Sequence, residues 1–173
     1  MNSFLNTLLG WLKPTLPKVS CRQDVWERGV AELAKRTLGE SRESGAYLLG
    51  KYLNDESREI LEFVFYDDID ELALDTGIVT IRQTALPRLW ELCRARGYGV
   101  VCDVHVHPGF YGQSISDKEN PVMPRAGHIA FILPDFARHN PGPGSIGMYE
   151  FLGNSAWRDH TDEGAAFFRL TGA

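Results

Sequence analysis

The sequence lacks long apolar runs, dense basic clusters and closely spaced cysteines. No stretch approaches the roughly 20 apolar residues that a transmembrane helix needs, so we predict no membrane span. The net charge is −5 without a basic run, which argues against a nucleic-acid partner and favours a protein or a small molecule. Because the three cysteines, Cys21, Cys93 and Cys102, form no CxxC pair, we expect reduced core or surface thiols and a cytoplasmic setting.

The first 20 residues are predicted to form an N-terminal amphipathic segment, followed by a domain over residues 21–173. A short helix ending before Pro14 would place five apolar side chains on one face: Phe4, Leu5, Leu8, Leu9 and Leu12. That face would pack on its own domain or a neighbouring chain, or it would dock on a membrane surface or a partner. Without a basic n-region or a small-residue cleavage site, we expect no signal peptide.

Residues 21–173 are predicted to form one α/β (α+β) domain, with a mixed β-sheet flanked by helices, because strand-like runs alternate with two or three helical ones. The acidic run 67–75 is predicted to be a loop. The apolar patterns predict helices over residues 24–40 and 84–97, a hairpin over 45–53 and 58–66, and further strands over 77–83, 98–108, 128–136, 146–153 and 165–172.

The stretch "CDVHVHPGFYGQSISD", residues 102–117, concentrates the residues that carry chemistry. Residues two apart on a strand share a face, so His105 and His107 project side by side. Pro108 ends the strand, and the glycine-rich turn that follows lets Ser114 and Asp117 fold back beside the histidines. Two imidazole nitrogens and one carboxylate leave the fourth tetrahedral position of a zinc ion for water, as in catalytic zinc sites.

An HxH pair alone is as typical of two polar side chains that face outward from a sheet as it is of a metal site. The turn and the S-x-x-D sequence that follow favour the metal site. Asp103 lies on the same predicted strand face and is either an acceptor that orients a ligand histidine or an ordinary exposed acid. No partner stands at metal-ligand spacing from His128, His139 or His160, and we predict no chemistry for them. Residues 118–127 form either part of the rim of the site or a plain connection.

A general base for the water is suggested by "ESGAYLLG", in which Glu43 stands just before an apolar strand. Taken alone, this glutamate is most simply a solvated acid. Together, the pattern E…HxHP…SxxD resembles the JAMM (MPN+) zinc metallopeptidases, over roughly residues 24–152. The resemblance implies an MPN fold, similar to that of cytidine deaminases, and one catalytic Zn²⁺.

Carried over to this chain, the resemblance implies that His105, His107 and Asp117 bind the zinc ion. Glu43 would act as general base on the water, and Ser114 would stabilise the oxyanion. Each role has a physical basis, since zinc acidifies bound water, a carboxylate shuttles its proton, and a hydroxyl donates to developing charge. The connection from the HxHP motif to Ser114 is one residue shorter than in the family pattern. This difference bears on the position of Ser114 more than on the positions of the candidate ligands.

The resemblance also implies the substrate, namely an amide or isopeptide bond after the C-terminal glycine of a ubiquitin-like protein. The chain looks like the bacterial JAB-type deconjugating isopeptidases of antiphage operons (Bil and CBASS types), which are encoded beside ubiquitin-like proteins and E1/E2-like enzymes. Three alternatives stay open at this point. These are a zinc hydrolase acting on a sulfur-carrier C-terminus, a non-catalytic MPN scaffold, and an HxH hydrolase on a TIM barrel, for which the chain is short.

Overall fold

The computed structural model describes residues 16–53, 56–77 and 79–172. The helix predicted within residues 1–20 falls on residues outside these ranges. The chain enters the described part at the exposed Leu16 and joins the sheet three residues later. None of the helices in the described ranges is long and apolar enough to cross a membrane.

Strands of the described ranges form one mixed sheet in the order β7-β6-β5-β4-β2-β3-β1-β8. Strand β4 pairs in parallel with β5, and β1 pairs in parallel with both of its neighbours, whereas the other pairs are antiparallel. The predicted single α+β domain with a mixed sheet is therefore confirmed. The strands are β1 (Val19–Arg22), β2 (Gly45–Tyr52), β3 (Arg58–Phe65), β4 (Gly99–Val106), β5 (Ile129–Leu133), β6 (Gly147–Gly153), β7 (Ala156–Asp159) and β8 (Phe168–Thr171).

The longest helix packs on one face of the sheet through the spacing of its apolar residues. The α-helices are α1 (Gln23–Arg36), α2 (Tyr66–Ile69), α3 (Leu86–Arg96) and α4 (Ile115–Glu119). Helix α1 buries Trp26, Val30 and Leu33, which are spaced so that they share one side. The Trp26 ring contacts Phe131 and Phe168 edge to face, at centroid distances of 6.0 and 4.8 Å.

A second apolar layer on the opposite face lies beneath α3, which buries Leu89 and Cys93. Tyr47 and Tyr66 meet there edge to face with centroids 4.9 Å apart. All three cysteines of the chain are buried and free, as predicted. Burial raises the pKa of the Cys102 thiol to about 12, so this thiol stays protonated and unreactive near neutral pH.

The two predicted helices and the hairpin are present with shifted ends. Helix α1 stops at Arg36 rather than near residue 40, whereas α3 ends at Gly97 as predicted, in the left-handed conformation with φ of 65°. The hairpin is the antiparallel pair of β2 and β3. The acidic run 67–75 begins within the single turn of α2 and continues as turns.

The strand predicted over residues 77–83 is wrong, because residues 79–82 form no strand and 83–85 form a 3₁₀ turn. Val79 and Ile81 instead turn their side chains against the second apolar layer, so their alternation reflects burial without strand pairing. Two four-residue strands, β1 and β7, were not predicted because so few residues give no clear alternation. Strand β1 also crosses the boundary placed between residues 20 and 21.

A close approach at Gly45 leads to a testable prediction about the sheet. A Cβ atom at this position would overlap the Tyr66 ring and lie 2.8 Å from the carbonyl oxygen of Val104. We expect Gly45→Ala to lower the free energy of unfolding by about 1–3 kcal/mol, the usual effect of overpacking. Urea unfolding measures it. Gly99→Ala is the matched control, since its Cβ would meet Tyr52 at an ordinary 3.7 Å; equal midpoints for the two variants would contradict the prediction.

Candidate metal centre

The two histidines lie at the end of β4, His105 within the strand and His107 directly after its last residue. His105 and His107 are almost fully buried, at 7% and 8% exposure. Their Nε2 atoms face each other at 3.1 Å. The second ring nitrogen of His107 lies 3.3 Å from the carbonyl oxygen of Phe110. If this Nδ1–H donates to that carbonyl, Nε2 keeps a free lone pair directed at His105, which is the tautomer that a metal ligand needs.

The aspartate reaches the histidines from the first turn of α4. Ser114 is the N-cap of this helix, and its Oγ accepts the backbone N–H of Asp117 at 3.1 Å. In return, the Asp117 carboxylate accepts the backbone N–H of Ser114 at 2.6 Å. This reciprocal pair is a capping box, formed by residues three apart as the S-x-x-D sequence allows. Local hydrogen bonding therefore holds the carboxylate in place.

The candidate ligand atoms of the three residues lie close together, at the corners of a small triangle. Oδ1 of Asp117 lies 3.3 Å from the Nε2 atom of His105, and Oδ2 lies 3.3 Å from that of His107. A tetrahedral zinc ion with bonds of about 2.0–2.1 Å separates its ligand atoms by about 3.3 Å. Because the ligand atoms of this group already lie within 4.8 Å of one another, the residues present fit a zinc ion.

The register of β2 on β4 brings Glu43 to the same place, although it is more than 60 residues away in sequence. Gly45 pairs with His105, and the pairing continues one step further where the Val106 N–H donates to the carbonyl of Ser44 at 2.9 Å. Two residues before Gly45, Glu43 therefore stands opposite His107. The backbone N–H of Glu43 donates to the carbonyl oxygen of Gly77 at 3.0 Å, and this hydrogen bond joins the site to the segment preceding α3.

The predicted catalytic residues line one small cavity of about 70 Å³. At about 30 Å³ per water molecule, the cavity has room for water but for no large side chain. Ser114 uses an oxygen lone pair in the capping box, so its hydroxyl hydrogen can still donate into the cavity. The structure thus brings the five predicted site residues together, and the shorter connection still places Ser114 on the cavity wall. The lining residues are Glu43, Val79, His105, Ser114, Ser116, Asp117, Asn120 and Val122.

Burial and mutual attraction set the charges in the cavity. Burial raises the pKa of Glu43 above its ordinary value, although the two histidines and a backbone N–H from Val79 oppose this shift. Burial also raises the pKa of Asp117, but hydrogen bonds from both histidines outweigh it and hold that pKa far below the usual range. Asp117 is thus the ionised candidate ligand, whereas Glu43 is the carboxyl group suited to exchange a proton.

Asp103 is not an exposed acid, and its carboxylate hydrogen-bonds to residues other than His105 and His107, so both interpretations of it were wrong. It is 2% exposed, and its carboxylate lies 2.5 Å from the Nε2 atom of His128. It also accepts the hydroxyl of Tyr66 at 3.0 Å. His128, which precedes β5, was assigned no chemistry from the sequence. No local spacing links it to Asp103, so only the pairing of β4 with β5 could reveal this buried network.

An ion pair between Asp70 and Arg82 holds the segment around Val79, where a strand was wrongly predicted. The Asp70 carboxylate, whose side chain is fully buried, accepts hydrogen bonds from the guanidinium and, at 2.9 Å, from the backbone N–H of Arg82. Between these two anchors the chain passes the cavity at Val79. The Asp70–Arg82 pair therefore shapes the wall of the candidate site that faces Glu43.

Comparison with known proteins gives the fold and no activity. No protein-family model matches the chain. The solution structure of protein DSY2949 from Desulfitobacterium hafniense is similar, with a TM-score of 0.63 and 14% identity over 90% of this chain and 94% of that one. A solution structure from Salinibacter ruber has a TM-score of 0.52 and 17% identity over 82% of this chain and 88% of that one. At such identities the likeness shows a shared fold alone.

The ion pair between Asp70 and Arg82 predicts that the free energy of unfolding depends on pH. Hydrogen bonding from Arg82 lowers the pKa of Asp70 from 3.8 to about 2. A depressed carboxyl pKa adds stability above pH 3.8 that is lost as the pH falls toward about 2. We expect Asp70→Asn to be destabilised at neutral pH, with the difference from wild type shrinking between about pH 4 and about pH 2 in urea unfolding. The exposed neighbour Glu71→Gln is the control, and a pH-independent difference for Asp70→Asn would contradict the assignment.

The ligand triangle predicts binding of one zinc ion per chain. Asp117→Asn keeps an oxygen that can accept the Ser114 N–H but removes the ligand charge. We expect its zinc affinity to fall by more than about 100-fold, beyond the effect of losing an outer hydrogen-bonding partner. Competition with a chelating dye, together with elemental analysis, measures the affinity and the stoichiometry. Glu119→Gln on the same helix is the matched control; unchanged affinity in Asp117→Asn would remove this residue from the site.

Proposed function

We propose that this chain is a zinc-dependent (iso)peptidase of the JAMM type that cleaves the amide bond after the C-terminal glycine of a ubiquitin-like protein. The observation that carries this proposal is the triangle of candidate ligand atoms from His105, His107 and Asp117, two of which, His105 and Asp117, line one cavity with Glu43 and Ser114. Three protein ligands beside a free carboxyl group are typical of catalytic rather than structural zinc sites.

Each of the two other residues has a chemical task in this proposal. A zinc ion held by the triangle would supply Lewis acidity and acidify a water molecule. Glu43 accepts the proton of the attacking water and passes it to the departing amine, which regenerates the carboxylate for the next cycle. A raised pKa suits the first transfer, since the carboxylate is then a stronger base. Ser114 donates its hydroxyl hydrogen to the carbonyl oxygen as negative charge develops.

The size of the cavity supports glycine as the residue before the scissile bond. With about 70 Å³ between Val79, Val122 and the candidate ligands, an extended main chain without side chains fits best. A ubiquitin-like tail ending in glycine has this shape. The biological setting in our proposal is bacterial antiphage defence, with E1/E2-like enzymes as further partners and either precursor processing or deconjugation as the task.

The proposal predicts the behaviour of a fusion between a ubiquitin-like protein and a reporter. The zinc-loaded chain should release the reporter after the terminal glycine. Glu43→Gln should lower kcat by at least about 100-fold, the usual contribution of a general base, while zinc content stays at wild-type level. Gel analysis of cleavage and elemental analysis of zinc measure the two quantities. The matched control is Glu40→Gln, an exposed glutamate three residues earlier.

The possible outcomes separate the alternatives. Zinc bound without cleavage of any ubiquitin-like fusion would contradict the peptidase proposal and favour a different zinc hydrolase, such as one acting on a sulfur carrier. Absence of both zinc binding and cleavage would favour a non-catalytic scaffold. Full activity in Glu43→Gln would exclude this residue as the general base.

A further inference from the structure

A second, larger cleft of about 640 Å³ lies beside the candidate metal centre. The two depressions share one wall, the chain from Gly112 to Lys118. Gln113 and Lys118 line the cleft, whereas their neighbours Ser114 and Asp117 line the metal cavity. A substrate bound at the metal centre would therefore extend over this wall and into the cleft.

Aromatic rings and carboxylates dominate the cleft. Tyr149 is buried, Trp157 is half-buried, and Phe110 is 70% exposed at the mouth. Asp159, the last residue of β7, and Asp162 beyond it are both exposed. Aromatic faces attract cations, and carboxylates pair with them, so the cleft offers both interactions that a basic side chain uses. Lys118 is a single opposing charge, which leaves an acidic balance.

Hydrogen bonds hold the cleft in one shape. The Trp157 indole N–H donates to the carbonyl oxygen of Lys118 at 3.1 Å. The Tyr149 hydroxyl donates to the carbonyl oxygen of Tyr111, also at 3.1 Å. The carbonyl of Phe110 lies against the His107 ring, as described above. Because β6 and β7 thereby brace the wall that carries Asp117, the cleft is built into the same framework as the candidate ligands.

We propose that this cleft binds a basic side chain, arginine or lysine, on the leaving-group side of the scissile bond. The inference rests on the proposed function and names a specificity of the same site. The metal cavity has no room for a large side chain, which suits the glycine side, so the large cleft across the wall takes the other side. The apolar part of a basic side chain lies against Trp157 and Tyr149, and its charged end reaches Asp159 and Asp162.

The test varies the residues that follow the glycine in the cleaved reporter fusion. Arginine, lysine, alanine, phenylalanine and aspartate are placed in turn at each of the first few positions. At one position we expect kcat/KM for arginine and lysine to exceed that for alanine by about three- to tenfold, with the advantage shrinking as salt is added. In the double variant Asp159→Asn/Asp162→Asn the advantage should vanish. Asparagine at residue 159 keeps an oxygen for the Thr161 N–H that Asp159 accepts at 2.8 Å.

A matched control removes two acidic charges elsewhere. Glu27→Gln/Glu91→Gln, on the exposed sides of α1 and α3, should keep the full preference. Equal rates for all inserted residues would overturn the inference, as would phenylalanine matching arginine or a preference that survives in Asp159→Asn/Asp162→Asn.

A binding measurement separates this inference from the proposed function. The zinc-loaded chain is titrated with a short capped peptide containing arginine, and with the same peptide containing the neutral isostere citrulline. We expect the indole N–H resonance of Trp157, assigned with Trp157→Phe, to shift with arginine and much less with citrulline. A shift without cleavage of any fusion would contradict the peptidase and keep a cation-binding cleft, whereas cleavage without a shift would contradict the cleft.

Discussion

The antiparallel pairing of β2 with β4 is the constraint on which the candidate site depends. Because Gly45 pairs with His105, Glu43 lies beside the two imidazoles. A slip of one residue in this register would turn the Glu43 side chain to the other face of the sheet. The register is secured where β2 begins. Ser44 accepts the N–H of Val106, and its hydroxyl donates to the carbonyl of Leu33 at 2.7 Å, so α1, β2 and β4 meet at one buried residue.

A single carboxylate joins local folding to chemistry. Asp117 completes the capping box of α4 and lies at 3.3 Å from both histidines. The helix start and the candidate metal centre are therefore not independent, because the hydrogen bond that begins the helix also orients the candidate ligand Asp117. Behind them, Asp103, His128 and Tyr66 fill the interior below β4 with mutually hydrogen-bonded polar groups, which avoids leaving buried donors unpaired.

The two sides of the centre differ in size and in chemistry. Toward Glu43, the segment anchored by Asp70 and Arg82 closes the cavity to about 70 Å³. Across the wall formed by residues 112–118, aromatic rings and carboxylates border a cleft of about 640 Å³. A bond cut between these spaces would separate a slender segment from a bulkier one, which matches a glycine-terminated tail and its leaving group.

The sequence by itself determined the features that rest on neighbouring residues. The two-residue period of a strand aligned His105 with His107, and the three-residue spacing of a capping box returned Asp117 to them. Tertiary structure alone decided which distant groups meet. Glu43 reaches the histidines through strand register, Asp103 is paired with His128 across β4 and β5, and the Val79 segment is held by the Asp70 ion pair although its alternation is typical of a strand. The physical reason is that local patterns fix dihedral angles and faces, whereas contacts between remote segments follow from the joint packing of the whole sheet, which no single stretch of sequence encodes.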